Sequence, residues 1–250
     1  MSEKRIPIFV HIPKTAGSTL RSILKNQYDP NVICFGNQQE MTSKLENFSE
    51  EEMEQIKCLH GHFHFGIHQH LSDRPYTYYT MLRDPVEHVI SEYYYILRKP
   101  NNQAHDKVKN MSFEEFIISE EFHDRTSNRQ TFFISGGLKD DLDLALKNLN
   151  QYFSIVGITE MFDESIFFIG QELGWKNITY KKKNVTKNRP SKDEFPDNII
   201  KLIEEKNELD MELYNFSKNL LQTKIKNLNH QSMRKLRHYI QMQEKINRNK

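Results

Sequence analysis

The stretch IPIFVHIPKTAGSTL, from Ile6 to Leu20, decides the fold. Residues 6–12 form a short, continuous run rich in branched apolar side chains, the pattern of a strand buried on both faces. Pro13 to Gly17 interrupts it, and Ser18 or Thr19 can cap a helix that runs to about Lys25. A strand passing through a tight loop into a helix is the repeating unit of an α/β protein. Working outward, the alternation continues. Residues 32–35, 56–61, 76–82 and 154–158 read as further strands. Residues 42–54, 86–97, 142–152 and 162–173 read as helices, with Pro85 suited to the first turn of the second. Ser112 with Glu115 forms a capping box for a helix through Ile118, whereas residues 99–110 are polar and loop-like. From Lys192, an apolar stripe through Ile199, Ile203, Leu209, Leu213, Phe216 and Leu220 is helical again. The expected architecture is α/β, a mostly parallel central sheet of about five strands with helices on both faces.

The 250 residues suit one large domain, placed at 1–221, followed by a basic, weakly periodic stretch at 222–250 expected to be a helical extension or tail. With 35 basic and 34 acidic residues there is no global field to gather nucleic acid, so any anion site must be local. Cys34 and Cys58 sit in no metal or redox spacing. No run reaches membrane-span length, and the polar opening MSEKRIPIFV is no signal peptide, so a cytoplasmic protein is expected.

Three stretches carry chemistry. In the first loop, Lys14, Thr15, Ala16, Gly17, Ser18 and Thr19 lie at a helix N-terminus, where backbone N–H groups attract anions. The lysine comes first, right after Pro13, unlike a Walker A loop, where it comes late. An ordinary capped strand-to-helix turn is the other reading of this loop. In MLRDPVEHVISEYYY, Arg83 leaves a strand at its carboxyl end and Ser91 follows eight residues on in the helix. A guanidinium and a hydroxyl can clamp a phosphate, or Arg83 can simply pair with Asp84 or Glu87. Tyr93, Tyr94 and Tyr95 read as packing. In LHGHFHFGIHQH, His60, His62 and His64 share one face of a strand. An imidazole there suits general-base work at neutral pH, alternating histidines can also hold a metal, and His64, His68 and His70 read as packing or surface residues.

PKTAGST and RDPVEHVISEYYY, in this order and on these elements, resemble the 5'- and 3'-phosphate motifs of the PAPS-dependent carbohydrate sulfotransferases, in the branch that includes heparan sulfate 2-O-sulfotransferase and bacterial members. PAPS is 3'-phosphoadenosine 5'-phosphosulfate. The resemblance spans roughly Ile6 to Leu220 and implies a P-loop-NTPase-like three-layer fold. It implies that residues Lys14 to Thr19 wrap the 5'-phosphate, that Lys14 contacts the oxygen bridging phosphorus and sulfur, and that Arg83 and Ser91 hold the 3'-phosphate. His60-Gly61-His62 matches the family's His-Gly-His, making His62 the base and His60 a supporting or alternative one. SNRQTFFISGG is similar to a segment on the acceptor side, with Asn128, Gln130 and Thr131 matching and Phe132 standing where an arginine is expected. KKKNVTKNRP resembles the loop that closes over the nucleotide, with Asn184 and Thr186 as contacts. The implied reaction is sulfuryl transfer from PAPS to a hydroxyl acceptor, most naturally a carbohydrate, with PAP (the desulfonated nucleotide) as product and no metal required. A nucleotide kinase or NTPase and a catalytically silent glycan-binding relative are the rival readings. The basic tail could meet an acidic glycan, a membrane surface or a second subunit in a homo-oligomer.

Overall fold

The computed structural model describes residues 5–182 and 189–248. Five strands, β1 (Ile6–Val10), β2 (Ile33–Asn37), β3 (Cys58–His62), β4 (Tyr76–Leu82) and β5 (Phe153–Ile158), form one sheet in the order β2-β3-β1-β4-β5. Every pairing is parallel. The helices in chain order are α1 (Gly17–Gln27), α2 (Gln38–Asn47), α3 (Glu50–Gln55), α4 (Pro85–Leu97), α5 (His105–Val108), α6 (Phe113–Ile118), α7 (His123–Thr126), α8 (Arg129–Ser135), α9 (Leu142–Tyr152), α10 (Phe162–Leu173), α11 (Asp197–Lys206), α12 (Glu208–Lys226) and α13 (His230–Arg248).

β1 lies at the centre, buried along its whole length. Its alternating side chains feed two cores. Ile6, Ile8 and Val10 meet α2, α8, α9 and α12 through Met41, Leu45, Phe133, Ile134, Leu149 and Leu213. Phe9 points the other way, to Leu20, Ile23 and Leu24 of α1, Ile166 of α10 and Leu236 of α13. This is the expected three-layer α/β architecture. A third apolar cluster joins α4, α6 and α11 through Val89, Ile90, Phe116 and Ile203.

The differences from the sequence reading are local. The single helix expected over 42–54 is two helices, because Asn37 and Ser49 each close a capping box and the chain turns at Phe48. The capping box at Ser112 is present. The C-terminal stretch is helical and packed: Leu236 and Tyr239 are buried in the second core. α12 runs through residue 222 without a break, so the 221/222 division falls inside a helix. No helix among the described residues is long and apolar enough to cross a membrane.

From β1 the chain crosses to β2, returns through β3, and then passes β1 again to reach β4. The strand order therefore reverses around β1, and the region beyond its carboxyl end is the usual ligand position in such sheets.

Candidate functional site

The loop from Pro13 to Ala16 lies at that end, between β1 and α1. Lys14 and Ala16 both adopt left-handed backbone, with φ of 70° and 63°. For non-glycine residues this costs about 1–3 kcal/mol each and calls for support from the surroundings. The support comes from three side chains. Thr15 Oγ1 donates to the Ile12 carbonyl at 2.8 Å, His88 Nε2–H donates to the Pro13 carbonyl at 2.7 Å, and Arg83 Nη1 donates to the Lys14 carbonyl at 3.1 Å. Carbonyls on the loop are thus turned toward α4. Ala16 gives α1 no side-chain cap. Thr19 N and Leu20 N donate to the Ala16 carbonyl, and the positive end of the α1 dipole here attracts an anion. Gly17 is required for a reason the sequence did not show: a Cβ there would lie 1.6 Å from Nε2 of His11.

His11 follows β1 directly and faces the same side of the sheet as His60 and His62. Its ring lies 4.3 Å from that of His62 and 5.1 Å from that of His60. His62 Nδ1 is 2.8 Å from the His11 carbonyl oxygen. A carbonyl can only accept, so Nδ1 carries the proton and Nε2 presents its lone pair. Burial lowers the His62 pKa below its ordinary value, Arg129 and Arg21 add to this, and the His11 carbonyl and Glu92 oppose it. The ring is therefore neutral at pH 7, and it opens to solvent at the strand end. His60 sits deeper, 2% exposed, with burial driving its pKa down to about 3 and Nε2 left without a hydrogen bond. That placement suits support rather than proton transfer. His64 packs on Phe132 and Phe133, His68 Nδ1 is 2.9 Å from the Tyr78 hydroxyl, and His70 lies 3.3 Å from Glu46. Among the described residues no group of histidines, cysteines and carboxylates could hold a metal ion.

Arg83 enters from β4. Besides the Lys14 carbonyl it meets Glu87 at 3.3 Å and Glu160 at 3.9 Å, so the ordinary pairing with Glu87 is present, while its buried Nε has no hydrogen-bond partner. Ser91 is half-buried two helical turns beyond Arg83, on the same face of α4 as Glu87. Glu87 also takes the guanidinium of Arg189 and the backbone N–H of Lys192, and Lys192 Nζ meets Asp84 at 2.8 Å. The segment from Arg189 to Lys192 is thereby fixed to the start of α4. Arg189 escaped the sequence reading, although it is the last cation of the basic loop. Asn184 and Thr186 lie outside the described residues.

Gln130 is fully buried, and its amide clamps the backbone of Arg83 from both ends, accepting from Arg83 N at 2.8 Å and donating to Arg83 O at 2.9 Å. Asn128 Oδ1 accepts from the backbone N–H groups of Leu209 and Asp210 at the start of α12. Thr131 donates from N and Oγ1 to the buried Asp210 carboxylate at 2.6 and 2.7 Å. The side chains expected on the acceptor side are thus turned inward, where Asn128 and Thr131 fasten α8 to α12 and Gln130 seats Arg83. The nearby Arg129 is largely buried, its side chain 14% exposed. Its guanidinium lies 3.6 Å from the buried Glu92, which Arg125 also meets at 3.0 Å, and it is close enough to lower the pKa values of His62 and His64. Burial brings the Lys14 ammonium down to about 8. Glu92 pulls in the opposite direction, and Arg83, Arg98 and Arg189 push with burial.

The family model described as "Sulfotransferase family" matches residues 1–217. A curated relative, heparan-sulfate 6-O-sulfotransferase 3 of Mus musculus, is 25% identical over an alignment of 292 residues that covers 90% of this chain and 60% of that protein. The chain therefore spans about 60% of the length of the curated relative it matches. A solved structure, a sulfotransferase from Alicyclobacillus acidocaldarius, aligns with a TM-score of 0.47 at 14% identity, over 92% of this chain and 99% of that one.

Proposed function

The chain belongs to the sulfotransferase family, and from that premise we propose that it transfers the sulfuryl group of PAPS to a hydroxyl of a carbohydrate acceptor. The observation that carries the reading is the 3.1 Å hydrogen bond from Arg83 Nη1 to the Lys14 carbonyl. It puts the strained loop and the arginine that follows β4 side by side, where in this reading a single nucleotide with a phosphate at each end meets both. The carbohydrate acceptor rests on the motif resemblance and on the relative's name. That name specifies 6-O-sulfation, whereas the motifs resemble the 2-O branch.

In this reading the acceptor hydroxyl attacks sulfur while His62 Nε2 takes its proton. The bond between sulfur and the bridging phosphate oxygen breaks, and that oxygen leaves with the electron pair as part of PAP. Sulfuryl transfer resembles phosphoryl transfer, in which catalysis comes mainly from positioning and charge. Lys14 and the N–H groups opening α1 stabilise the charge on the departing oxygen. At pH 7 the ammonium is mostly protonated, since its pKa is about 8. The proton on His62 leaves to solvent, to which the ring is open. Arg83 and Ser91 take the 3'-phosphate, with Gln130 acting through Arg83. Asn184 and Thr186 are further donor contacts in this proposal, and Asn128 shapes the acceptor side through α12.

Two assays test it. Calorimetry with PAP in the presence of a chelator should show binding, and ATP with Mg²⁺ should bind more weakly. Preferential ATP–Mg²⁺ binding with turnover would instead support a phosphotransferase, and an absence of nucleotide binding a silent relative. With radiolabelled donor, His62→Ala should lose roughly 10²- to 10⁴-fold in turnover with PAP binding nearly intact, and full activity would remove His62 as the base.

A further inference from the structure

Three consecutive tyrosines close α4, and they do different things. Tyr93 is buried in the third core and donates its hydroxyl to the Met111 carbonyl at 2.9 Å. Tyr94 packs edge-on against Tyr93 and lies on the same core. Tyr95 is half-buried, and the Lys14 ammonium sits 3.8 Å above the centre of its ring. This is well inside the distance at which a cation is drawn to the negative face of an aromatic ring.

The root of the Lys14 side chain is fixed. Its backbone is left-handed and its carbonyl is held by Arg83. The position of the ammonium is therefore settled at the far end of the chain, by what meets it there. Arg83 after β4, Arg98 just past the end of α4, and Arg189 all repel it, Glu92 on α4 attracts it, and burial strips it of water. Lys14 in turn lowers the pKa values of His11 after β1 and His88 on α4, which are both neutral. Glu92 is shared with Arg125 and Arg129. The Tyr95 ring is in direct contact with Nζ, and it is a face that holds a cation without neutralising it.

We propose that Tyr95 is a positioning residue, whose ring fixes the place of the Lys14 ammonium beside α4 and keeps it charged. The role assigned to the lysine rests on the sulfuryl-transfer reading, whereas the contact between ring and lysine does not. Without the ring, the ammonium keeps its repulsive neighbours and its burial but loses a partner that favours charge, so it gives up its proton at lower pH.

The test is competitive labelling of Lys14 with acetic anhydride across pH on the free, full-length protein, read by peptide mass spectrometry. Wild type and Tyr95→Phe should titrate together, because the ring is kept. In Tyr95→Leu the midpoint should fall by roughly half to one and a half pH units, the range a desolvated cation–π contact supports. Tyr95→Met repeats the comparison should the leucine variant fail to fold. An unchanged midpoint in the ringless variants overturns the proposal, as does a shift in Tyr95→Phe equal to that in Tyr95→Leu. The labelling needs neither donor nor acceptor. Failure of the sulfuryl-transfer reading would show separately, as absence of PAP binding.

Discussion

Gln130→Met is the perturbation that best separates positioning from acceptor contact. Methionine has nearly the length of glutamine and suits an apolar site, but it can neither accept from Arg83 N nor donate to Arg83 O. Both hydrogen bonds are short, 2.8 and 2.9 Å, and Gln130 is fully buried. Each buried polar group left without a partner costs about 1–3 kcal/mol. Two of them give about 2–6 kcal/mol, divided between global stability and a displaced Arg83. If half of that falls on the seating of Arg83, PAP affinity drops by roughly 5- to 150-fold. Calorimetry should show this loss for PAP and much less for 5'-AMP, which lacks the 3'-phosphate. Thermal unfolding should show the remainder as a lowered Tm. A variant that binds PAP as wild type does, while losing acceptor-dependent turnover, would refute the positioning argument and return Gln130 to the acceptor side.

Other outcomes follow from the same geometry. Gly17→Ala places a methyl where the His11 ring lies, so the loop must lift; overpacking costs about 1–3 kcal/mol, which calorimetry should read as weakened PAP binding. His62 must be neutral to accept a proton, and its pKa is held below the ordinary value, first by burial. The acid limb of turnover at saturating donor should therefore have its midpoint below pH 6.5. A pH–rate profile with its acid limb above 6.5 contradicts this. Tyr239→Ala empties a buried position where α13 meets α10 and removes the hydrogen bond to the Ile178 carbonyl at 3.0 Å. About 3–5 kcal/mol of stability should be lost, visible in denaturant unfolding, whereas a disposable tail would show no change.

The strands were legible because β1 is buried on both faces and reads as an unbroken apolar run, and β4 is a run rich in aromatic and β-branched residues. The capping box at Ser112 and the first-turn Pro85 are local signals, and helices began where they stood. The loop and the α4 motif were legible for the same reason, since each is one contiguous strand, turn and helix. What escaped the sequence was made by tertiary approach. Gly17 reads as a residue that lets a phosphate come close, yet the group filling its missing Cβ is His11, six positions earlier on the other side of the turn. Glu92 and Arg129 are far apart in sequence, and nothing local marks them as a buried pair. Gln130 and Asn128 match a family segment, but a pattern does not say which way an amide faces. In α13 the apolar positions Leu236, Tyr239 and Ile240 are too sparse among basic residues to stand out, although they suffice to seal the edge of the second core.

The central claim is that one nucleotide bridges the Lys14 loop and the Arg83 clamp. Titration of PAP, 5'-AMP and 3'-AMP into wild type, Lys14→Ala and Arg83→Ala tests it most directly. The preference for PAP over 5'-AMP should collapse in Arg83→Ala, and the preference for PAP over 3'-AMP should collapse in Lys14→Ala. Unchanged preferences in both variants would contradict the account.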